Sequence, residues 1–261
     1  MKKKQSSLVD HIPNWMWLLL SFLAAMLLWY ILSIIPKTSR AFPNQLVVLN
    51  SIATMIQRGV LHTDIGSSLI SAGASYAFGF IIALPVAILM AWYRPVKYII
   101  APWIQFIRNI PPLAYVPLIV IAAGVGRRPQ IIVISIATFL IMGVPIYQGG
   151  VNVDERLFKA ARVLGANDKD IFSRVIAPAT LPFILTAVRL GASVALTTLI
   201  AAESTGASAG LGMRIRSLNS NFETAPMLLY IIIIGIIGIT VEKIIKTLER
   251  RLTGWQEKRE I

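Results

Sequence analysis

The sequence has few of the residues that many enzymes and metal proteins depend on. Its 261 residues include no cysteine, two histidines and twelve acidic residues against twenty-five basic ones. The lack of cysteine excludes a disulfide framework and thiolate chemistry, and it leaves the compartment undetermined. His11 and His62 lie far apart and do not have the spacing of metal ligands. No metal site is therefore expected.

A phosphate-binding loop is also absent. No segment has the pattern G-x-x-x-x-G-K-[ST], so the chain lacks the usual cradle for a nucleotide, and any use of ATP and Mg must belong to a partner. Residues 206–210 match the nucleophile pattern G-x-S-x-G, but the strand and helix that it needs are not predicted around them. Both histidines precede this serine, whereas such a hydrolase needs one after it. We expect no catalytic residue in this chain.

Apolar residues dominate the composition instead. They make up 56% of the sequence, charged residues make up only 14%, and the mean hydropathy is +0.71. These values exceed those of soluble domains. Apolar spans of about 20 residues are long enough to cross a bilayer as helices. Six are predicted, at 15–35, 65–93, 99–125, 131–147, 181–202 and 227–241. The sequence therefore predicts an all-α membrane protein with six transmembrane helices in a single domain, residues 1–261.

The distribution of positive charge predicts the orientation of these spans, because cytoplasmic segments retain lysine and arginine. With the N-terminus inside, the inner segments hold sixteen of these residues and the outer segments hold seven, so both termini are expected in the cytoplasm. The net charge of +13 lies mostly at span ends, where anionic lipid headgroups account for it, and no nucleic-acid partner is expected. The first span is too long for a signal peptide and lacks a cleavage site at 36–40, so we predict that it is retained.

Small residues recur every four positions in the second span. The series is Ser67, Ser71, Ser75, Gly79, Ala83, Ala87 and Ala91. Positions four apart share one helix face, and small side chains there let a neighbouring helix approach closely in lipid. We therefore expect a packing face, with a polar pathway lined by the serines as the alternative.

Prolines are frequent in the second, third and fourth spans. They are Pro85, Pro102, Pro111, Pro112, Pro117 and Pro145. Because proline removes a backbone donor and clashes with the preceding turn, these prolines are expected to interrupt their helices. Broken helices are tolerated in membranes only against protein or water. Residues 108–114 are therefore expected to face the bundle interior or a cavity rather than lipid.

Two cations lie within predicted spans, Arg108 and Arg189. Each costs on the order of 3 kcal/mol at the bilayer centre, and each lies about seven residues, or roughly 10 Å, from the predicted cytoplasmic end of its span. They either extend to the inner interface or form structural pairs, or they flank an anion pathway. Glu203 lies about 21 Å from Arg189 along the helix, too far to pair with it. We expect Glu203 to bond a loop or a neighbouring helix near an outer gate.

Residues 151–178 are predicted to form a cytoplasmic loop, in which residues 155–178 form a hairpin of two short helices. One helix face carries a repeat at i, i+3, i+4 and i+7, formed by Leu157, Ala160, Ala161 and Leu164. Gly165 supplies a left-handed stop, and Asn167 or Asp168 caps the second helix. That helix is expected to end before Pro178. A solvated loop would not need this apolar pattern, so we interpret the hairpin as a plug for a groove in a partner.

The hairpin resembles the cytoplasmic "EAA" loop of ABC importer permeases. Lys159-Ala160-Ala161, Gly165 and the segment 175–178 match the spacing of E-A-A, G and I-x-L-P. Two positions depart from the pattern, since Lys159 stands for the glutamate and Ala177 for the leucine. These departures favour docking by small residues and shape over a specific charge contact. The residues expected to dock the ATPase are Leu157, Lys159, Ala160, Ala161, Leu164, Gly165, Ala166 and Asp168.

The resemblance extends over nearly the whole chain. Within these permeases, the chain is similar to the nitrate, sulfonate and taurine branch. Matching segments lie at 111–114, 181–182, 201–203, 210–212 and 250–255. It implies a type I importer (MetI-like) permease fold in the bacterial inner membrane. It also implies a second permease copy in a homodimer, two ATPase subunits that bind ATP and Mg, and an extracytoplasmic solute-binding protein.

The resemblance implies a non-catalytic subunit that forms the pathway for a small, anionic solute such as a sulfonate, taurine or nitrate. The residues expected at the pathway or its gate are Arg108, Pro111, Pro112, Arg189 and Glu203. A channel or secondary transporter that works without ATP is the alternative, and a membrane scaffold without solute flux is a second one. The sequence does not identify the solute.

Overall fold

The computed structural model describes residues 13–252, apart from the side chains of residues 14, 155 and 158. The lysines at 2–4, His11 and the 253–255 part of the C-terminal motif lie outside the described residues. The described chain folds into eleven α-helices. They are α1 (Asn14–Ile34), α2 (Gln45–Gln57), α3 (Leu61–Trp92), α4 (Arg94–Arg108), α5 (Pro112–Ala123), α6 (Arg127–Val151), α7 (Glu155–Val163), α8 (Asp168–Ile171), α9 (Ala177–Gly206), α10 (Leu211–Ser220) and α11 (Thr224–Leu252).

Five helical segments are long and apolar enough to cross a membrane: α1, α3, α6, the run from α8 through α9, and α11. The third predicted span is not a single helix. It consists of α4 and α5, which are bent by 103° and amount to a sixth crossing if the pair counts as one span. The apolar helix α2 has 13 residues, about 20 Å, and is too short to cross. Neither α2 nor α10 is predicted from hydropathy.

The prediction that the prolines interrupt their helices is wrong at four of the six positions. Helix α3 runs through Pro85, α4 through Pro102, α5 through Pro117 and α6 through Pro145. A proline removes only one backbone hydrogen bond, and neighbouring helices in a membrane bundle tolerate that loss. Only the adjacent pair Pro111 and Pro112 coincides with a break.

Helix α3 packs closely on α6 through its small-residue face, as predicted. Ser71, Ser75, Gly79, Ala83 and Ala87 are all buried. A Cβ added at Gly79 would overlap the side chain of Thr138 on α6, so only glycine permits this approach. The alternative of a serine-lined pathway is not supported, because the Ser75 hydroxyl donates to the carbonyl of Ser71 on its own helix at 2.6 Å.

Helices α3, α6 and α9 form the centre of the bundle, and α1 lies at its edge. Two buried clusters hold the centre together, one around Val133 and Leu199 and one around Met142 and Ala187. None of the apolar window of α1 is buried. Helix α1 is attached near its C-terminal end, where Trp29 Nε1 donates to the carbonyl of Pro43 at 3.0 Å. Its exposed apolar surface is suited to lipid.

Candidate functional site

The hairpin between α6 and α9 begins with a capped helix and turns at Gly165. The Asp154 carboxylate accepts a hydrogen bond from the backbone N–H of Arg156 at 2.9 Å and caps α7. Gly165 has φ +80°, in the left-handed region. The N–H of the next residue, Ala166, donates to the carbonyl of Ala161 at 3.0 Å, which closes the end of α7. The predicted left-handed stop is confirmed.

The second arm of the hairpin starts at Asn167, whose side chain accepts from the backbone N–H of Asp170 at 2.9 Å. Of the two predicted caps, Asn167 is the one that is used. The prediction that this arm ends before Pro178 is wrong, because α8 continues through a π-helical turn, Phe172–Ile176, into α9. Pro178 lies in the first turn of α9, and the wider π turn lets the chain pass without a break.

This continuity joins the hairpin firmly to the bundle. Ile171 is 1% exposed, and the Phe172 ring meets the edge of Trp92 at the end of α3, with ring centroids 6.0 Å apart. Residues 168–206 therefore form one helical body of 39 residues.

The tip of the hairpin exposes apolar side chains. Val163 is 87% exposed and Leu164 is 86% exposed. Arg162 and Asp168 form an ion pair that ties the two arms together below the tip. Leu157, Lys159 and Ala160 are also exposed, whereas Ala161 and Ala166 are half-buried. An exposed apolar tip on a rigid base is typical of a surface that a partner covers.

The elbow between α4 and α5 carries the first in-span cation. Arg108 is the last residue of α4, and α5 begins at Pro112. Arg108 and Pro111 are exposed and Pro112 is half-buried, so in the single chain this turn lies on the surface. The expectation that residues 108–114 face the bundle interior or a cavity rather than lipid stays a prediction. Among the described residues, none forms an ion pair with Arg108. The elbow therefore presents an exposed cation where the helix is broken.

Arg189, unlike Arg108, has an ion-pair partner among the described residues. Its Nη1 is 3.5 Å from Oε2 of Glu249, and this pair joins α9 to α11. The structure thus supports the predicted structural pair. Helices α4 and α9 begin upstream of the predicted spans, so both arginines lie further along their helices than the seven residues expected. Their matched depth in the membrane stays a prediction. Arg108 lies fourteen residues after the first residue of α4, and Arg189 lies twelve after that of α9.

Glu203 lies at the far end of α9 from the hairpin and is 1% exposed. Its Oε1 accepts from the Ser68 hydroxyl of α3 at 2.6 Å, and its Oε2 accepts from the backbone N–H of Gly212 at 2.8 Å. Gly210 has φ +136°, and a Cβ at this position would overlap the Glu203 carboxylate. Both partners lie on neighbouring helices, α3 and α10, in agreement with the expectation that Glu203 bonds a loop or a neighbouring helix. Its place near an outer gate stays a prediction.

Asp64 is the residue that sequence reasoning missed. Its side chain is buried at the start of α3, and its Oδ2 accepts from Arg214 Nε at 2.7 Å and from the Tyr230 hydroxyl at 3.0 Å. Its Oδ1 accepts from the backbone N–H of Gly210 at 3.1 Å. This bonding to Asp64 raises the pKa of the Arg214 guanidinium above its usual value, so the arginine stays protonated. One carboxylate thus joins α3, α10 and α11.

We refer to Asp64, Ser68, Glu203, Arg214 and Tyr230 as the polar cluster. Ser68 links the Glu203 carboxylate to the start of α10, because its hydroxyl donates to Glu203 and accepts from the N–H of Leu211 at 2.8 Å. The N–H of the preceding residue, Gly210, donates to Asp64. A signal for Asp64 is present in the sequence, since it is the one acidic residue between Asp10 and Asp154 and lies four residues before Ser68. No group of side chains in the described part of the chain is arranged to hold a metal ion. The hydrogen bonds of the cluster fix α3, α9, α10 and α11 to one another.

Comparison with known proteins identifies relatives over most of the chain. The family model described as "Binding-protein-dependent transport system inner membrane component" matches residues 79–254. A probable ABC transporter permease protein of Brucella abortus (strain 2308) is 40% identical over 240 residues, covering 92% of this chain and 95% of that protein. The taurine transport system permease protein TauC of Escherichia coli (strain K12) is 38% identical over 172 residues, covering 66% of this chain and 62% of TauC.

The fold also matches a solved structure. An inward-facing conformation of the MetNI methionine ABC transporter aligns with a TM-score of 0.63 at 19% identity, covering 76% of this chain and 98% of that chain. This likeness shows the predicted type I importer (MetI-like) permease fold.

Proposed function

Because the chain belongs to the family of binding-protein-dependent transport system inner membrane components, we propose that two copies of it form the import pathway for a small anionic solute. As an ABC importer permease, it is a multi-pass inner-membrane subunit without catalytic activity of its own. The family implies a separate ATPase and a solute-binding protein as partners. ATP and Mg bind to the ATPase in this proposal.

The hairpin is the observation that carries the proposal. Its apolar tip at Val163 and Leu164 is exposed, and its second arm is continuous with α9. An ATPase that covers this tip acts on α9 without an intervening flexible joint. Closure of two ATPase subunits on ATP then moves the two permease copies between inward-open and outward-open states. The hairpin end of the bundle, and with it both chain termini, lies in the cytoplasm in this arrangement.

The elbow supports a pathway between two copies. It exposes Arg108 together with apolar residues of α5, including Leu118, which is 67% exposed, and Ile121, which is 83% exposed. A cation without a protein partner is costly in lipid, so it is better placed at water between two copies. We propose that Arg108, Pro111 and Pro112 line this pathway. Arg189 and Glu203 have their own partners and are assigned structural roles.

A sulfonate is the favoured solute class. The support comes from the similarity to TauC, which is named for taurine transport, and from the cationic elbow, because a guanidinium binds oxyanions through paired N–H donors. Nitrate is not a sulfonate, but it is also an oxyanion and is included in the proposal.

Reconstitution tests the proposal. The permease is co-purified with its ATPase, placed in proteoliposomes with its solute-binding protein, and assayed with radiolabelled taurine and nitrate. We expect uptake of at least one of them only when ATP and Mg are present on the hairpin side. Uptake driven by an ion gradient without ATP would instead show a secondary transporter. If none of the solutes that the binding protein captures crosses the membrane, the chain would instead be a scaffold.

A further inference from the structure

A groove runs between α9 and α11 on the outside of the bundle. It has a volume of about 540 Å³, and it extends from Arg189 to Ile200 on α9 and from Ile245 back to Ile234 on α11. Eleven residues of helix measure about 16 Å, close to half of the roughly 30 Å hydrocarbon thickness of a bilayer. The groove thus has the length of one acyl chain in one leaflet.

The lining of the groove changes along its length. One end is apolar, formed by side chains such as Leu196, Ile200 and Ile234, and Gly238 leaves the middle open. The other end carries Arg189 on α9 and Glu242 on α11. An amphiphile with its tail at Ile200 and its head at Arg189 matches this polarity.

A second groove lies beside the first. It has a volume of about 340 Å³, is lined by Gly73, Tyr76 and Leu248 among others, and shares Leu196 and Ile245 with the first groove. Two adjacent apolar grooves that share lining residues of α9 and α11 match a ligand with two acyl chains and one headgroup.

The charges at the polar end select the headgroup. Arg189 is 40% exposed and contacts Glu249 through Nη1, so other guanidinium donors remain for a phosphate. Glu242 pairs with Lys246 on its own helix at 2.7 Å and is 53% exposed, so its carboxylate is accessible to a second cation. These two ion pairs, Arg189–Glu249 and Lys246–Glu242, have no net charge between them. The polar end is complementary to a headgroup that has both a phosphate and an ammonium.

We propose that the α9–α11 grooves bind a phospholipid whose phosphate contacts Arg189 and whose primary ammonium contacts Glu242, as in phosphatidylethanolamine. This proposal does not depend on the solute or on ATP. The lipid fills the space between α9 and α11 and stabilises their pairing.

The test uses the purified permease with its ATPase in nanodiscs of palmitoyl-oleoyl phosphatidylethanolamine, phosphatidylcholine or phosphatidylglycerol. Lipid retained after transfer to detergent is counted by native mass spectrometry. We expect phosphatidylethanolamine to be retained roughly tenfold more than phosphatidylcholine, whose quaternary ammonium donates no hydrogen bond. Glu242→Gln should remove that preference, and Arg189→Gln should lower retention of all three lipids.

A matched pair of glycine variants tests the position. Gly238→Leu fills the groove, whereas Gly235→Leu places the same side chain on α11 in open space outside the groove lining. We expect lipid retention to be lost only in Gly238→Leu. Equal retention of phosphatidylethanolamine and phosphatidylcholine by the wild type, or unchanged retention in Gly238→Leu, would overturn the proposal.

The absence of cysteine permits a test for another occupant. In Gly238→Cys the introduced thiol is the one thiol of the chain, because the sequence has no cysteine. A disulfide between two permease copies at this position would show that the second copy occupies the groove, and it would refute the lipid site. If a lipid occupies the groove, we expect no such cross-link. We also expect the introduced thiol to be labelled slowly, and to be labelled faster once the lipid has been removed.

Discussion

The carboxylate of Asp64 on α3 accepts the Nε–H of Arg214 on α10 at 2.7 Å, across 150 residues of chain. The side chain of Asp64 is 1% exposed and that of Arg214 is 23% exposed. Each is the counter-charge of the other, and the Tyr230 hydroxyl completes the bonding of the acid. The end of the bundle opposite the hairpin is therefore held by charge as well as by packing.

Replacement of Asp64 should destabilise the protein. Asp64→Asn leaves Arg214 without its counter-charge, and breaking a buried pair costs about 3–5 kcal/mol, less here because the arginine is partly exposed. We expect a clear fall in the unfolding temperature in detergent. Glu223→Gln is the control, since the Arg58–Glu223 pair is 53% and 37% exposed and is expected to contribute less than about 1 kcal/mol. Equal effects of the two variants would contradict the importance of the polar cluster.

Replacement at the tip of the hairpin should release the ATPase. Leu164 is 86% exposed, so Leu164→Asp should leave the unfolding temperature of the permease unchanged. If Leu164 is covered by the ATPase, its loss should weaken binding by at least about 2 kcal/mol, measured by co-purification and by titration. Val125→Asp changes a residue that is 80% exposed in the turn before α6, and it serves as the control. Undiminished ATPase binding by Leu164→Asp would argue against docking at the tip.

A bulky residue at Gly165 should uncouple ATP hydrolysis from uptake. Valine is strained at the φ of +80° found here, by about 1–3 kcal/mol. The turn should shift and misplace the two arms. Gly59→Val is the matched control, because Gly59 also has positive φ, +68°, and open space around it, but lies in the α2–α3 turn. We expect Gly165→Val to hydrolyse ATP without transport, whereas Gly59→Val transports. Coupled transport by both variants would contradict the role of the hairpin as a lever.

Removal of the elbow cation should impair uptake but not assembly. Arg108 has no ion-pair partner among the described residues, so Arg108→Gln should fold normally. If Arg108 contacts an anionic solute in the pathway, uptake at low solute concentration should fall roughly tenfold. Initial rates in proteoliposomes measure this, and Arg94→Gln, at the first residue of the same helix, is the control. An unchanged rate would remove Arg108 from the pathway.

The sequence predicts those features that depend on local periodicity. The four-residue repeat of small residues in α3 is such a feature, and it is buried on α6 as expected. The turn at Gly165 is another, because its conformation is set by the few residues around it. Both could be derived without knowledge of any distant contact.

The features that sequence reasoning missed depend on tertiary contacts. A hydropathy window sums apolar residues, so it does not detect the 103° bend between α4 and α5. Proline content alone does not show that Pro85 is tolerated whereas the pair Pro111 and Pro112 marks a break. The partners of Asp64 lie about 150 residues away in sequence, and only the fold brings them together.

The helical body of residues 168–206 joins the hairpin, which contains Asp168, to Glu203 in the polar cluster. From Asp168 to Glu203 this body is about 53 Å long. If ATPase binding at one end changes the energy of the contacts at the other, thermodynamic linkage requires the reverse effect with equal magnitude. Variants of Ser68 or Asp64 would then change the affinity for an ATPase that they never touch. The factor of that change would be a direct measure of the coupling free energy carried by one helix.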